Sequence, residues 1–170
     1  DTKLQEVDLP EGKGHNVIGY KPNIFAKRVL VLGAHYDSVP AGPGAKDNAS
    51  GVAAMMHIAS ILNKVKLPLD LELRIVLFTA EEIGTFGSKA YAKKIANEHK
   101  KIVSIISDVF APDKDIPCSL VCQVMDENLS KPIIDAFNKA LNNLGKIDTK
   151  LDDSPYWVPR IYGHRDNQSF

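Results

Sequence analysis

Three short stretches of this chain carry groups able to hold a divalent metal and move a proton. Gly33-Ala34-His35-Tyr36-Asp37-Ser38 offers an imidazole with a carboxylate two residues on, Lys46-Asp47-Asn48-Ala49-Ser50-Gly51 a further carboxylate, and Phe78-Thr79-Ala80-Glu81-Glu82 a pair. Each follows an apolar segment, so each set should stand where a strand ends. In an open parallel α/β sheet the ligand crevice lies at those ends. Asp108, after Ile102-Val103-Ser104-Ile105-Ile106, is a fourth group of the same kind. Together His35, Asp47, Glu82 and Asp108 read as the ligands of a two-metal hydrolytic site.

Spacing carries more of this reading than residue type. Pro40, Gly42, Pro43 and Gly44 lie between His35 and Asp47; they make the stretch a turning loop, which can fold both side chains onto one ion. In an extended chain side chains at i and i+2 point the same way, so the Asp37 carboxylate can accept the second N–H of His35 and fix its tautomer. Taken alone, the His-x-Asp pair reads equally as a hydrogen-bonded loop staple. The carboxylates at the other strand ends decide for a metal site.

The elements that must position these groups alternate. Strands are predicted over 16–20, 28–34, 71–78 and 102–106, the second a near-continuous apolar run of the kind buried on both faces. A helix is predicted over 48–63, with Val52, Met55, Met56 and Ala59 recurring at helical spacing and Ile58, Ile61 and Leu62 on a second apolar side. Further helices are predicted over 84–98 and over 130–144, the latter with Ser130 as N-cap and Gly145 as stop, and a further strand over 119–124. Residues 1–15 carry no firm element, and 147–159, rich in Asp and Pro, read as a surface loop. The alternation predicts an α/β fold with a mixed, mainly parallel central sheet and helices on both faces.

Composition bounds the answer. With 170 residues, 44% hydrophobic and 25% charged, the chain can bury one sizeable core. Its 21 basic and 21 acidic residues cancel, which argues against a nucleic-acid or membrane-surface partner. No apolar run approaches the ~18 residues of a membrane span, and the chain, starting at Asp1, shows no signal peptide. Cys118 and Cys122, if on a strand, are too far apart to bridge. The Asn-x-Ser triplets at Asn48, Asn128 and Asn167 fit a glycosylation pattern, but a glycan beside Asp47 would crowd the site, so chance is the better reading there. His57 reads as packed within its helix, His99 as solvated, Lys89, Lys93, Lys94, Lys100 and Lys101 as a wet helix side and tail, and Met55 and Met56 as core.

These motifs resemble those of the M28 family of zinc aminopeptidases, the bacterial leucine aminopeptidases in particular, over nearly all of the chain from Asn16-Val17-Ile18-Gly19 to Phe170. The resemblance implies a zinc-exopeptidase fold of the phosphorylase/hydrolase-like kind. It makes His35, Asp47, Glu82 and Asp108 metal ligands, with His35 and Asp108 on one zinc ion, Glu82 on the other and Asp47 bridging both, and it implies a cis peptide between Asp47 and Asn48. It makes Glu81 the general base, while Asp37 orients the imidazole. The implied substrate is a peptide with a free N-terminus, and the implied molecule a monomer working outside the cell or in the periplasm.

The family's fifth ligand is a His in a Tyr-His motif near its C-terminus. Residues 1–170 are therefore expected to be a single peptidase domain lacking that segment, to bind close to one zinc ion rather than two, and to have little or no activity unless His164 or a partner chain supplies the nitrogen. Gly163-His164-Arg165-Asp166-Asn167-Gln168-Ser169-Phe170 resembles the Ser-Asp-His stretch that precedes the motif, with Arg165 and Asn167 in place of the usual Ser and His. The alternatives are an inactive peptidase-fold binding module and a single-zinc acyltransferase of the glutaminyl cyclase type.

Overall fold

Val29, Leu30, Val31 and Leu32 alternate between two apolar environments, and that alternation sets the architecture. In a computed structural model, which describes residues 1–107 together with Asp135 and Lys139, they lie on a strand with a helix against each face. The elements are β1 (Thr2–Leu9), β2 (Gly12–Lys21), β3 (Arg28–His35), α1 (Ser50–Asn63), β4 (Leu71–Phe78), α2 (Phe86–Ile95) and β5 (Lys101–Ser107). The sheet runs β1-β2-β4-β3-β5. β3 is parallel to both β4 and β5, whereas β2 is antiparallel to β4 and to β1, so the sheet is mixed.

The chain passes from β3 through α1 to β4 on one side, then from β4 through α2 back across β3 to β5 on the other. Right-handed crossovers in opposite directions put their helices on opposite faces. Accordingly Val29, Val31, Val76 and Phe78 pack with Tyr91 and Ile95 of α2, while Leu32, Ala34 and Leu73 pack with Met55 of α1. The loops leaving β3 and β4 thus diverge between two paired strands. This is the switch point where α/β sheets open a crevice.

Differences from the sequence reading have local causes. β1 was not expected, and β2 is longer than the strand predicted over 16–20; the two join through Pro10 and Glu11 with Leu9 paired to Gly12. β1 is an edge strand in which only Val7 is buried, so it lacks the apolar alternation that marks a strand. α1 starts at Ser50 rather than at residue 48, because Asp47 (φ −114°, ψ 97°) and Asn48 (φ −131°, ψ 35°) are not helical. One side of α1 meets the sheet, through Val52, Met55, Ile58 and Leu62. Met56, expected in the core, is 62% exposed, and His57, expected to be packed, is exposed as well. α2 is helical from Phe86 to Ile95 and tightens over Ala96–Glu98.

Lys100 is not merely wet. With Arg74 it holds the buried Glu72: Arg74 donates to Glu72 at 2.7 Å and to both carboxylate oxygens of Glu98 at 2.8 and 2.5 Å, and Lys100 donates to Glu72 at 2.9 Å. This network closes the α2 face at the start of β4, away from the strand ends that carry His35 and the Glu pair. The predicted strand over 119–124, Asp108, Cys118, Cys122 and His164 lie outside the described residues. Of the helix predicted over 130–144, Asp135 and Lys139 are described and are helical.

Candidate metal centre

His35 is the last residue of β3 and is 1% exposed. The Tyr36 amide continues the ladder by donating to Phe78 O at 2.9 Å, so the imidazole leaves the sheet from a fixed backbone. Beyond it the Pro- and Gly-containing loop turns back as the spacing predicts. Gly44 takes a left-handed φ of 65°, and an added Cβ there would come 2.7 Å from the Ser38 side chain. The Asp47–Asn48 peptide is cis, as the resemblance implies. Asn48 is buried and its Oδ1 accepts the Gly51 N–H at 3.0 Å, which caps the entry to α1 and leaves no accessible amide for a glycan.

The loop returns Asp47 to β3, with Asp47 Oδ1 3.0 Å from His35 Nε2. From the neighbouring strand the turn after β4 brings Glu82, and ligand atoms of His35, Asp47 and Glu82 all lie within 4.8 Å of one another. Burial pushes the Glu82 carboxyl up, and the negative charges of Asp47 and Asp37 add to this against the opposing effect of His35. Two carboxylates and an imidazole nitrogen converging on one point form a donor set for a divalent cation, which would relieve that repulsion.

Asp37 ties the two strand ends together. Its Oδ1 accepts the Glu81 N–H at 3.1 Å and its Oδ2 accepts the Glu82 N–H at 3.1 Å. His35 Nδ1 faces the same residue, 3.2 Å from the Asp37 carbonyl oxygen and 3.5 Å from its carboxylate. The sequence reading gives this contact to the Asp37 carboxylate; in the structure the main-chain oxygen is the closer partner, because the loop after β3 turns it toward the ring. Burial works against ionisation of Asp37, but its bonds with His35, Glu81 and Glu82 outweigh this and hold its pKa below the ordinary aspartate value. Binding of a metal at Nε2 would require the proton on Nδ1, the nitrogen that faces Asp37.

Glu81 and Glu82 line an open groove with Ile83, Gly84, Phe86 and Lys89. Of the residues singled out in the sequence, the structure gathers His35, Asp37, Asp47, Glu81 and Glu82. Two contributors were not singled out. The Val39 amide bonds to Glu82, and the buried side chain of Asn16 bonds to the Thr79 N–H at 3.0 Å, where the Glu81–Glu82 turn begins. The only trace of the second in the sequence is a polar residue opening an apolar strand.

A divergent pair of strand ends carrying His and carboxylates defines an α/β protein with a metal-type crevice. The peptidase family M28 model matches residues 16–170. The chain belongs to peptidase family M28. Over 88 residues it is 42% identical to aminopeptidase YwaD of Bacillus subtilis, a match spanning 51% of this chain and 19% of that protein. The solved zinc aminopeptidase BSAP of Bacillus subtilis superposes with a TM-score of 0.53 at 36% identity, over 59% of this chain and 25% of that one. The fold is also that of a glutaminyl cyclase from Fimbriiglobus ruber, at 22% identity and a TM-score of 0.52 over 66% of this chain and 48% of that one. The chain thus spans about a fifth of the aminopeptidase it matches in sequence. No described helix is long and apolar enough to cross a membrane.

Proposed function

We propose that the chain carries the catalytic half-site of a zinc aminopeptidase that hydrolyses the N-terminal bond of peptides. The observation that carries this is the gathering of His35, Asp47 and Glu82 within 4.8 Å at adjacent strand ends. His35, Asp47 and Glu82 would hold the metal, with Asp108, next in sequence after β5, as a further ligand and Asp47 shared between two ions in the complete site. Zinc, when bound, lowers the pKa of water and polarises the scissile carbonyl.

The rest falls to side chains. Glu81 takes the proton from the attacking water and hands it to the leaving amine. It can do so beside Glu82 because consecutive side chains diverge, and Asp37 fixes both by their amides. The free α-amine of the substrate is met by carboxylates of the acidic cluster, which restricts cleavage to the chain end. A peptide in the groove beside Ile83 and Phe86 lies against Glu81. We further propose that the protein acts as a monomer, outside the cell or in the periplasm, as family resemblance suggests.

Hydrolysis of leucine p-nitroanilide by the zinc-loaded full-length protein tests the activity, with N-acetyl-leucine p-nitroanilide as the blocked control. Release from the free amine alone supports the reading. Equal release from both, or none from either, contradicts it. A glutaminyl anilide converted to pyroglutamyl product in preference to hydrolysis would assign the cyclase chemistry instead.

A further inference from the structure

We infer that Asn16 is the positioning residue that locks the turn bearing Glu81 and Glu82, an inference that rests on the role proposed for those glutamates. Asn16 lies on β2 with its side chain 0% exposed, on the same face as Ile18. A buried primary amide is tolerated only when its groups are bonded. Oδ1 accepts the Thr79 N–H at 3.0 Å, and Nδ2 donates to Gly87 O at 2.8 Å and to Gln5 Oε1 at 3.1 Å.

Thr79 and Gly87 are the two ends of the turn. Between them Phe86 N–H donates to Ala80 O at 3.0 Å and Thr85 N–H to Glu81 O at 2.9 Å, and Gly87 N–H closes the loop on Thr79 O at 3.0 Å. Asn16 bonds to both ends, to the Thr79 N–H and the Gly87 carbonyl, and so completes a ring of three hydrogen bonds. The closeness is enforced, since a Cβ on Gly87 would sit 2.3 Å from Thr79 O and 2.5 Å from Asn16 Oδ1. Inside the turn Ala80, a residue with a side chain, holds a left-handed φ of 55°, a conformation that persists where surrounding contacts impose it.

The amide also has a fixed direction. Gln5 accepts from Asn16 and donates its own Nε2 to Ala90 O in α2 at 3.1 Å, so a flip of Gln5 breaks two bonds and a flip of Asn16 three. Strand β1, which contributes little to the core, thereby sets the orientation of the group that clamps the glutamate turn. Asn16 touches no reacting atom; it acts through Thr79 and Gly87.

The test compares the full-length protein with Asn16→Leu, with Gln5→Leu as the milder variant, and with Met55→Ala, which loosens the α1 face and spares this ring. Exchange of the Glu81 and Glu82 amides, kcat and KM for leucine p-nitroanilide, and zinc affinity are measured well below each variant's midpoint. Asn16→Leu should speed exchange of both amides and lower kcat at least ~10-fold with little change in KM, on the scale of losing a group that orients a ligand. Gln5→Leu should act in the same direction by a few-fold, and carries the test if Asn16→Leu does not fold. Met55→Ala should lose thermal stability while keeping exchange at both glutamates and kcat near wild type. If the Asn16 and Gln5 variants behave like Met55→Ala, Asn16 is merely structural and the inference falls. A wild-type protein that cleaves nothing would sink the proposed function, and the amide exchange would still decide for or against Asn16.

Discussion

Asp37 Oδ2 accepts the Glu82 backbone N–H at 3.1 Å, although the two residues leave different strands. The same carboxylate holds Glu81 N–H and faces His35. One group therefore sets the spacing between a histidine on β3 and a glutamate pair after β4. The metal-type cluster is then a consequence of strand pairing plus a single bridging carboxylate.

Asp37→Asn keeps the size but offers one acceptor oxygen where two amide N–H groups donate, and it removes the charge facing His35. Changes to groups that orient metal ligands cost about 10- to 100-fold in metal affinity or activity. Zinc competition with a chromophoric chelator should show a loss in that range, with the melting temperature little changed. Unaltered affinity would mean that Asp37 serves only the loop.

Glu81→Gln removes proton transfer without removing a proposed ligand. It should lower kcat by about 10² to 10⁴, the usual contribution of a general base, while zinc content stays at the wild-type level. A variant that loses zinc as well would place Glu81, not Glu82 alone, among the ligands.

Glu72, at the far end of β4, links stability to pH. Burial opposes its ionisation, but hydrogen bonds from Arg74 and Lys100 outweigh that and hold its pKa below the ordinary glutamate value. A carboxyl with the lower pKa in the folded state binds fewer protons when folded. Its stabilisation is complete above the unfolded value of about 4.3 and is lost as pH falls through the lower folded value. Glu72→Gln should cost about 1.5 to 3 kcal/mol at neutral pH, the worth of hydrogen bonds to charged groups. Thermal melts of both proteins against pH should converge below pH ~4; a gap that stays constant into acid would show that Glu72 is not held ionised.

Much of the site was legible because its chemistry sits at strand ends, where residue order and spatial order agree. The buried run from Val29 to Leu32 announces β3, so His35 follows at a known place, and Pro40, Gly42, Pro43 and Gly44 announce the return that delivers Asp47. The helices on opposite faces were legible from the strand–helix alternation. What was hidden depends on pairing. β1 is an edge strand with one buried residue, so its pattern is nearly polar. The burial of Met55 but not Met56 depends on which side of α1 meets Leu32 and Leu73, and both lie within the apolar period. Asn16 gained its role only when the β2–β4 register, with Val17 opposite Leu77, set it beside Thr79.

The proposed function rests on the strand-end cluster of His35, Asp47 and Glu82 holding zinc. It is tested most directly by titrating metal-free full-length protein and its His35→Ala variant with zinc against a competing chelator at neutral pH. Tight uptake by the wild type and a loss of more than about 100-fold in the variant are expected, beyond what a merely orienting residue produces. A wild type that fails to compete for zinc, or a His35→Ala variant that binds it as tightly, would contradict a zinc site at these strand ends.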